Sequence, residues 1–122
     1  MRYKREEPFR YTFDEPISAL FQIKEIDGHS VETSEGEAKI IDISPEGVKL
    51  NSELNLPDTI DKSIHLSISF ALNGNPFDFI GIIVWKKKVG TATNYGIDFL
   101  TDDSAKQALV EQIKLYAKNQ AK

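Results

Sequence analysis

The chain has no cysteine, one methionine, one tryptophan and two histidines in 122 residues. Without cysteine there is no disulfide, no thiolate nucleophile and no zinc–thiolate site. His29 falls in a turn region and His65 on the polar face of an alternating strand. Neither belongs to an HxH or HxxxH pair or to a carboxylate-rich cluster, so metal-ligand spacing is missing. No set of serine, histidine and acid stands out for nucleophilic catalysis, and neither an enzyme nor a cofactor is expected. Long apolar runs are also missing. FIGIIVW, residues 79–85, is the longest, far below the ~20 residues of a membrane-spanning helix. The N-terminus is charged and has no apolar segment of the kind a secretory signal needs. A cytoplasmic chain without membrane insertion is expected. A basic surplus is absent too, since the formal net charge is −4. DNA and RNA are therefore not expected partners.

What is present is an ordinary globular composition, 40% apolar and 28% charged, of a length that fits one domain spanning residues 1–122. Charge is unevenly placed. Arg2, Lys4, Arg5 and Arg10 against Glu6 and Glu7 give the first twelve residues +2, leaving −6 for the remainder of the −4 total. A basic arm on an acidic body suits a small anionic ligand better than a long polyanion.

Pro8 and Pro16 punctuate residues 1–16, which read as an arm, although Tyr11 and Phe13 alternate with polar residues and can open a strand. Ser18–Ile26 reads as a strand, and Asp27-Gly28 as a tight turn after which His29–Glu32 can pair back. EAKIIDIS (37–44), the turn Pro45-Glu46-Gly47 and Val48–Asn51 form a strand, a turn and a strand. Residues 53–62 are a connecting loop. In SIHLSISFAL (63–72), Ile64, Leu66, Ile68, Phe70 and Leu72 alternate strictly, the mark of a half-buried strand. Asn73-Gly74-Asn75 turns the chain into 76–89, which is apolar on both faces. Phe77, Phe79, Ile83 and Trp85 fall on one face as core aromatics and aliphatics, and Ile80, Ile82 and Val84 on the other, so both faces need cover. Lys86-Lys87-Lys88 reads as its solvated end. Asn94–Leu100 is the last strand. From Asp102, Asp103 or Ser104, each able to cap a helix, the period becomes helical, with Ala105, Ala108, Leu109, Gln112, Ile113 and Tyr116 on one face. That face is expected to cover strand 76–89. The fold class is mainly β: a small antiparallel barrel of six to seven strands (17–100), an N-terminal arm (1–16) and one C-terminal α-helix (102–120).

Two stretches carry chemistry. In the first, Arg5 and Arg10 offer planar donor forks suited to phosphate oxygens and to flat rings. In the second, Asp42 and Ser44 are two apart and share a strand face. Gly47 follows, where either a positive φ or close approach of a ligand to the backbone would favour glycine. Cationic forks with a carboxylate acceptor and a hydroxyl are what an anionic, base-bearing ligand requires.

The run Asp42-Ile-Ser44-Pro-Glu-Gly47 is DxSxxG. With the arginines upstream, Trp85 closing the long strand and Tyr95-Gly96-Ile97-Asp98-Phe99 before the helix, it resembles the PilZ domain family over nearly the whole chain. The resemblance implies a bacterial receptor or adaptor for cyclic di-GMP, with Arg5, Arg10, Asp42, Ser44 and Gly47 as ligand-binding residues. Asp42 would accept from guanine N–H groups, Ser44 would bond beside it, and the arginines would grip guanine faces and phosphates. It further implies a protein effector in motility, polysaccharide or pilus machinery, whose affinity changes when ligand orders the arm. One feature departs from the pattern. The family spaces its arginines as RxxxR, whereas Arg5 and Arg10 have four residues between them, which in a strand would turn Arg5 to the opposite side. The other reading is a degenerate PilZ-like interaction domain that binds no nucleotide. It would hold its arm by pairing Arg5 or Arg10 with Glu6, Glu7 or a carboxylate of the body.

Overall fold

The computed structural model describes residues 10–31, 33, 35–56 and 62–120. Seven strands and one helix follow in order: β1 (Tyr11–Ile26), β2 (His29–Ser30), β3 (Gly36–Ser44), β4 (Gly47–Ser52), β5 (Ile64–Leu72), β6 (Asn75–Val89), β7 (Ala92–Phe99) and α1 (Asp103–Gln120). All pairings are antiparallel. The strand order is β2-β1-β3-β4-β7-β6-β5, and β5 pairs back to β1. Six strands thus close into a barrel, which leaves no open edge in that ring, and β2 adds a short flap to β1. The expected barrel and terminal helix are both present. The boundary between arm and barrel is not at residue 16, because β1 already begins at Tyr11.

Alternation fills the interior. Ile64, Leu66, Ile68 and Leu72 of β5 are buried, as are Val48 and Leu50 of β4 and Tyr95, Ile97 and Phe99 of β7. Asp27-Gly28 and Asn73-Gly74 make two of the tight turns, with φ of 53° and 83° in the first and 53° and 80° in the second. These paired left-handed residues match the twist of the strands they join, and glycine takes that conformation without steric cost.

In this antiparallel ring, β1, β4 and β6 begin at the same rim where β3, β5 and β7 end. The helix closes that rim. Asp102 caps it, its Oδ1 accepting from the Ala105 N–H at 2.9 Å. Leu109 and Ile113 are fully buried within the barrel's own core. Gln112 binds Asn73 at the β5–β6 turn through its side chain at 2.8 Å and its carbonyl at 3.0 Å. Tyr116 sets its ring edge-on to Tyr11 and Phe13 at the start of β1. Lys106 reaches Glu46 in the β3–β4 turn at 3.0 Å.

This corrects the expectation that the helix covers the outer face of 76–89. Ile80 and Val84 on that face stay exposed, at 43% and 48%. An open barrel end offers a narrow helical stripe deeper burial than a convex outer sheet does. The opposite rim is closed by residues 53–56. The Tyr95 hydroxyl donates to the Leu54 carbonyl at 2.7 Å and accepts from the Leu56 N–H at 2.8 Å. Lys86 donates to Asn55 Oδ1 and to the Leu56 carbonyl, so it is a strut of this rim and not part of a solvated strand end.

Candidate functional site

Two β-bulges aim the site. Between β3 and β4 the register runs Ile40↔Leu50 and then Asp42↔Lys49, which leaves Ile41 as an extra residue. A one-residue bulge reverses which face the following side chains take. Ile40 and Ile43 can therefore both point inward, while Asp42 and Ser44 point outward together. Between β6 and β7 the register runs Ile83↔Ile97 and then Trp85↔Gly96, so Val84 is the extra residue. The phase reverses again, and Trp85 leaves the core side for the outer face, where it is 43% exposed. It is not the core aromatic that uninterrupted alternation from Phe77 and Phe79 would give.

The two bulges align one row of outward positions. Asp42 pairs with Lys49, Lys49 with Gly96, and Gly96 with Trp85. At the usual strand spacing the row is ~14 Å long, from a carboxylate on β3 to an indole on β6. Gly96 has no side chain, and the Trp85 indole lies over it. A shallow pocket of about 310 Å³ lies over the row and is lined also by Arg10 and Asp98.

Arg10 immediately precedes β1, and Tyr11 and Thr12 pair with Ile43 and Asp42. This carries Arg10 across β3. Its Nη1 is bonded to Asp42 Oδ1, and its Nη2 approaches Ser44 Oγ at 3.4 Å. Lys49 Nζ faces the other carboxylate oxygen, Oδ2, at 3.6 Å. Asp42 thus holds one negative charge against two cations. Ser44 is fully buried, and its Oγ accepts from the Glu46 N–H at 3.1 Å, a bond that closes the β3–β4 turn on itself.

Arg10, Asp42 and Ser44, singled out by sequence, therefore meet. Gly47 follows them at the start of β4. Its φ is not positive, so the first of the two reasons expected for a glycine does not hold. A Cβ there would lie 2.1 Å from the Ile97 carbonyl oxygen, so glycine is needed for β4 to pack against β7. Arg5 lies outside the described residues, as do Glu6, Glu7 and most of the expected arm. Sequence reasoning missed Lys49, Trp85 and Gly96 as members of the site. A signal existed for each bulge. Ile40 and Ile43 are three apart in a strand and cannot both face a core without an extra residue. Gly96 between Tyr95 and Ile97 marks a place where something lies close over the sheet.

Among the described residues, no group of three or more acidic or histidine side chains is placed to hold a metal ion, and no helix is long and apolar enough to cross a membrane. A larger shallow groove, about 1100 Å³, runs past Leu20, Lys39 and Ser69. It contains none of the residues that converge over β3, β4, β7 and β6.

The PilZ domain family model matches residues 3–115, and the chain belongs to the PilZ domain family. Among solved structures it is similar to the PilZ domain with c-di-GMP of YcgR from Escherichia coli. That likeness has a TM-score of 0.68 at 17% identity, covering 96% of this chain and 95% of that one. It is also similar to YcgR in complex with c-di-GMP from Escherichia coli, with a TM-score of 0.63 at 16% identity, covering 97% of this chain and 50% of that one. At these identities the likeness is one of fold. Among curated proteins, none matches this sequence.

Proposed function

We propose that the chain is a bacterial, cytoplasmic signalling module that binds cyclic di-GMP and passes the bound state to a protein effector, without catalysis. The observation that carries this reading is the meeting of Arg10, Asp42 and Ser44, where Arg10 and Asp42 line one outward patch with Trp85. The patch answers a guanine nucleotide group by group. Asp42 accepts from the N–H edge of guanine, and the Arg10 fork serves O6 and N7 or a phosphate oxygen. The Trp85 indole gives a base a ring to stack on. Gly47 acts by holding β4 against β7, which keeps the turn in place.

The Arg10–Asp42 pair must open for ligand to enter, since each partner occupies the group that the ligand would use. Arg5, with the rest of the arm, is proposed to complete the grip. Contacts made by the arm only with ligand present would make the liganded surface differ from the free one, and only such a difference can change a partner's affinity. YcgR, in the structures to which this fold is similar, is in complex with c-di-GMP, which supports the same ligand here.

One observation favours a second reading. Arg10 paired to a carboxylate of the body is also what a nucleotide-free interaction domain would show. A thermal-melt series with cyclic di-GMP, and GMP as control, separates the two. A receptor melts progressively higher as cyclic di-GMP rises. An unchanged melting temperature at high nucleotide favours the interaction domain.

A further inference from the structure

We infer that Lys49 is a second phosphate-binding cation of the site, held on Asp42 until nucleotide enters. This rests on the cyclic di-GMP reading and adds a residue to it. Lys49 stands at the centre of the outward row, with Asp42 beside it on β3 and Gly96 beside it on β7. The Trp85 indole lies over Gly96, and Lys49 and Trp85 line the same pocket. Among the described residues, no other lysine lines the pocket.

Its present pairing is loose. The 3.6 Å from Nζ to Asp42 Oδ2 exceeds the ~2.7–2.9 Å of a well-made charged hydrogen bond. Arg10 already occupies the other oxygen of the same carboxylate. Among the described residues, the lining carries two cations, Arg10 and Lys49, and two carboxylates, Asp42 and Asp98, so their charges balance. A ligand that brings both a phosphodiester and N–H donors can exchange these internal pairs. The phosphate takes the Lys49 ammonium, and the donors take the oxygen it leaves on Asp42. A lysine midway between the carboxylate and the indole also supplies positive charge in a place that does not depend on the arginine spacing.

The test is a calorimetric titration of the full chain with cyclic di-GMP at several salt concentrations, for the unaltered protein, Lys49→Met and Lys49→Arg. Methionine keeps the apolar stem and removes the charge. We expect Lys49→Met to bind about tenfold or more weakly, with a salt dependence shallower by about one charge. Lys49→Arg should recover most of the affinity, and all three proteins should melt within a few degrees of one another. If the unaltered protein binds and Lys49→Met equals it in affinity and salt slope, the assignment of Lys49 is wrong while the receptor reading stands. If the unaltered protein does not bind, the receptor reading fails and the role of Lys49 with it.

Discussion

The Trp85 indole fills the space over Gly96 so closely that a Cβ on the glycine would lie 2.1 Å from the indole nitrogen. The bulge at Val84 pairs the two residues on the outer face, and the missing side chain lets the ring lie low over the sheet beside the charged cluster. Gly96→Ala should therefore displace the indole without breaking the barrel. Trp85 is the only tryptophan in the chain, so its emission reports on this site alone. The expected outcome is a shifted emission maximum and weaker cyclic di-GMP binding. The cost in stability should fall at the low end of ~1–3 kcal/mol, because the ring is half exposed and can swing away. Unchanged emission in Gly96→Ala would contradict the packing.

Trp85→Ala separates stacking from structure. A base stacked on an aromatic ring is worth about 1–3 kcal/mol, so affinity should fall by roughly ten- to a hundredfold. The folded state should lose little, since 43% of Trp85 is already exposed. Paired titration and urea unfolding check both halves.

Gly47→Ala should behave in the opposite way. What a Cβ would strike there is the Ile97 carbonyl, part of the β7 backbone, at 2.1 Å. Backbone cannot rotate aside as an indole can. The substitution should destabilise by about 1–3 kcal/mol or more, read from the urea midpoint. Any loss of binding should follow from movement of β4 against β7. A Gly47→Ala protein of normal stability that has lost only its binding would favour the ligand-approach explanation.

The helix is predicted to act as a plug for the rim that carries the DxSxxG turn. Ile113→Ala removes a fully buried side chain from the shared core and should cost about 2–5 kcal/mol. Lys106→Ala breaks an exposed pair with Glu46 and should cost no more than about 1 kcal/mol. Denaturant unfolding of the two variants decides this. Equal, small effects would mean that the helix merely lies on the surface.

Strand positions, turns and the helix were legible because alternation and turn chemistry are local. Ile64 to Leu72 announces β5 by period alone, and Asn73-Gly74 its turn. The faces were harder to read, because parity survives only until a bulge. Counting by twos from Phe77 placed Trp85 in the core, and one extra residue at Val84 reversed it. The same device at Ile41 left the Asp42–Ser44 reading intact, because both residues lie beyond the bulge and keep their spacing. The partner of the helix was misjudged for another reason. The apolar content of 76–89 shows that a strand is greasy, but not that a barrel rim nearby offers better burial. Lys49 was not legible at all, since its place beside Asp42 and Gly96 depends on strand register, which the sequence of β4 alone does not fix.

The central claim is that Arg10 and Asp42 exchange each other for a nucleotide. Isothermal titration of cyclic di-GMP into the unaltered protein, Arg10→Ala and Asp42→Ala tests it most directly. The prediction is saturable binding by the unaltered protein and a loss of about 1–3 kcal/mol, or roughly ten- to a hundredfold, in each variant, with the barrel still folded by circular dichroism. Three indistinguishable titrations, or no heat from the unaltered protein at high nucleotide, would contradict it.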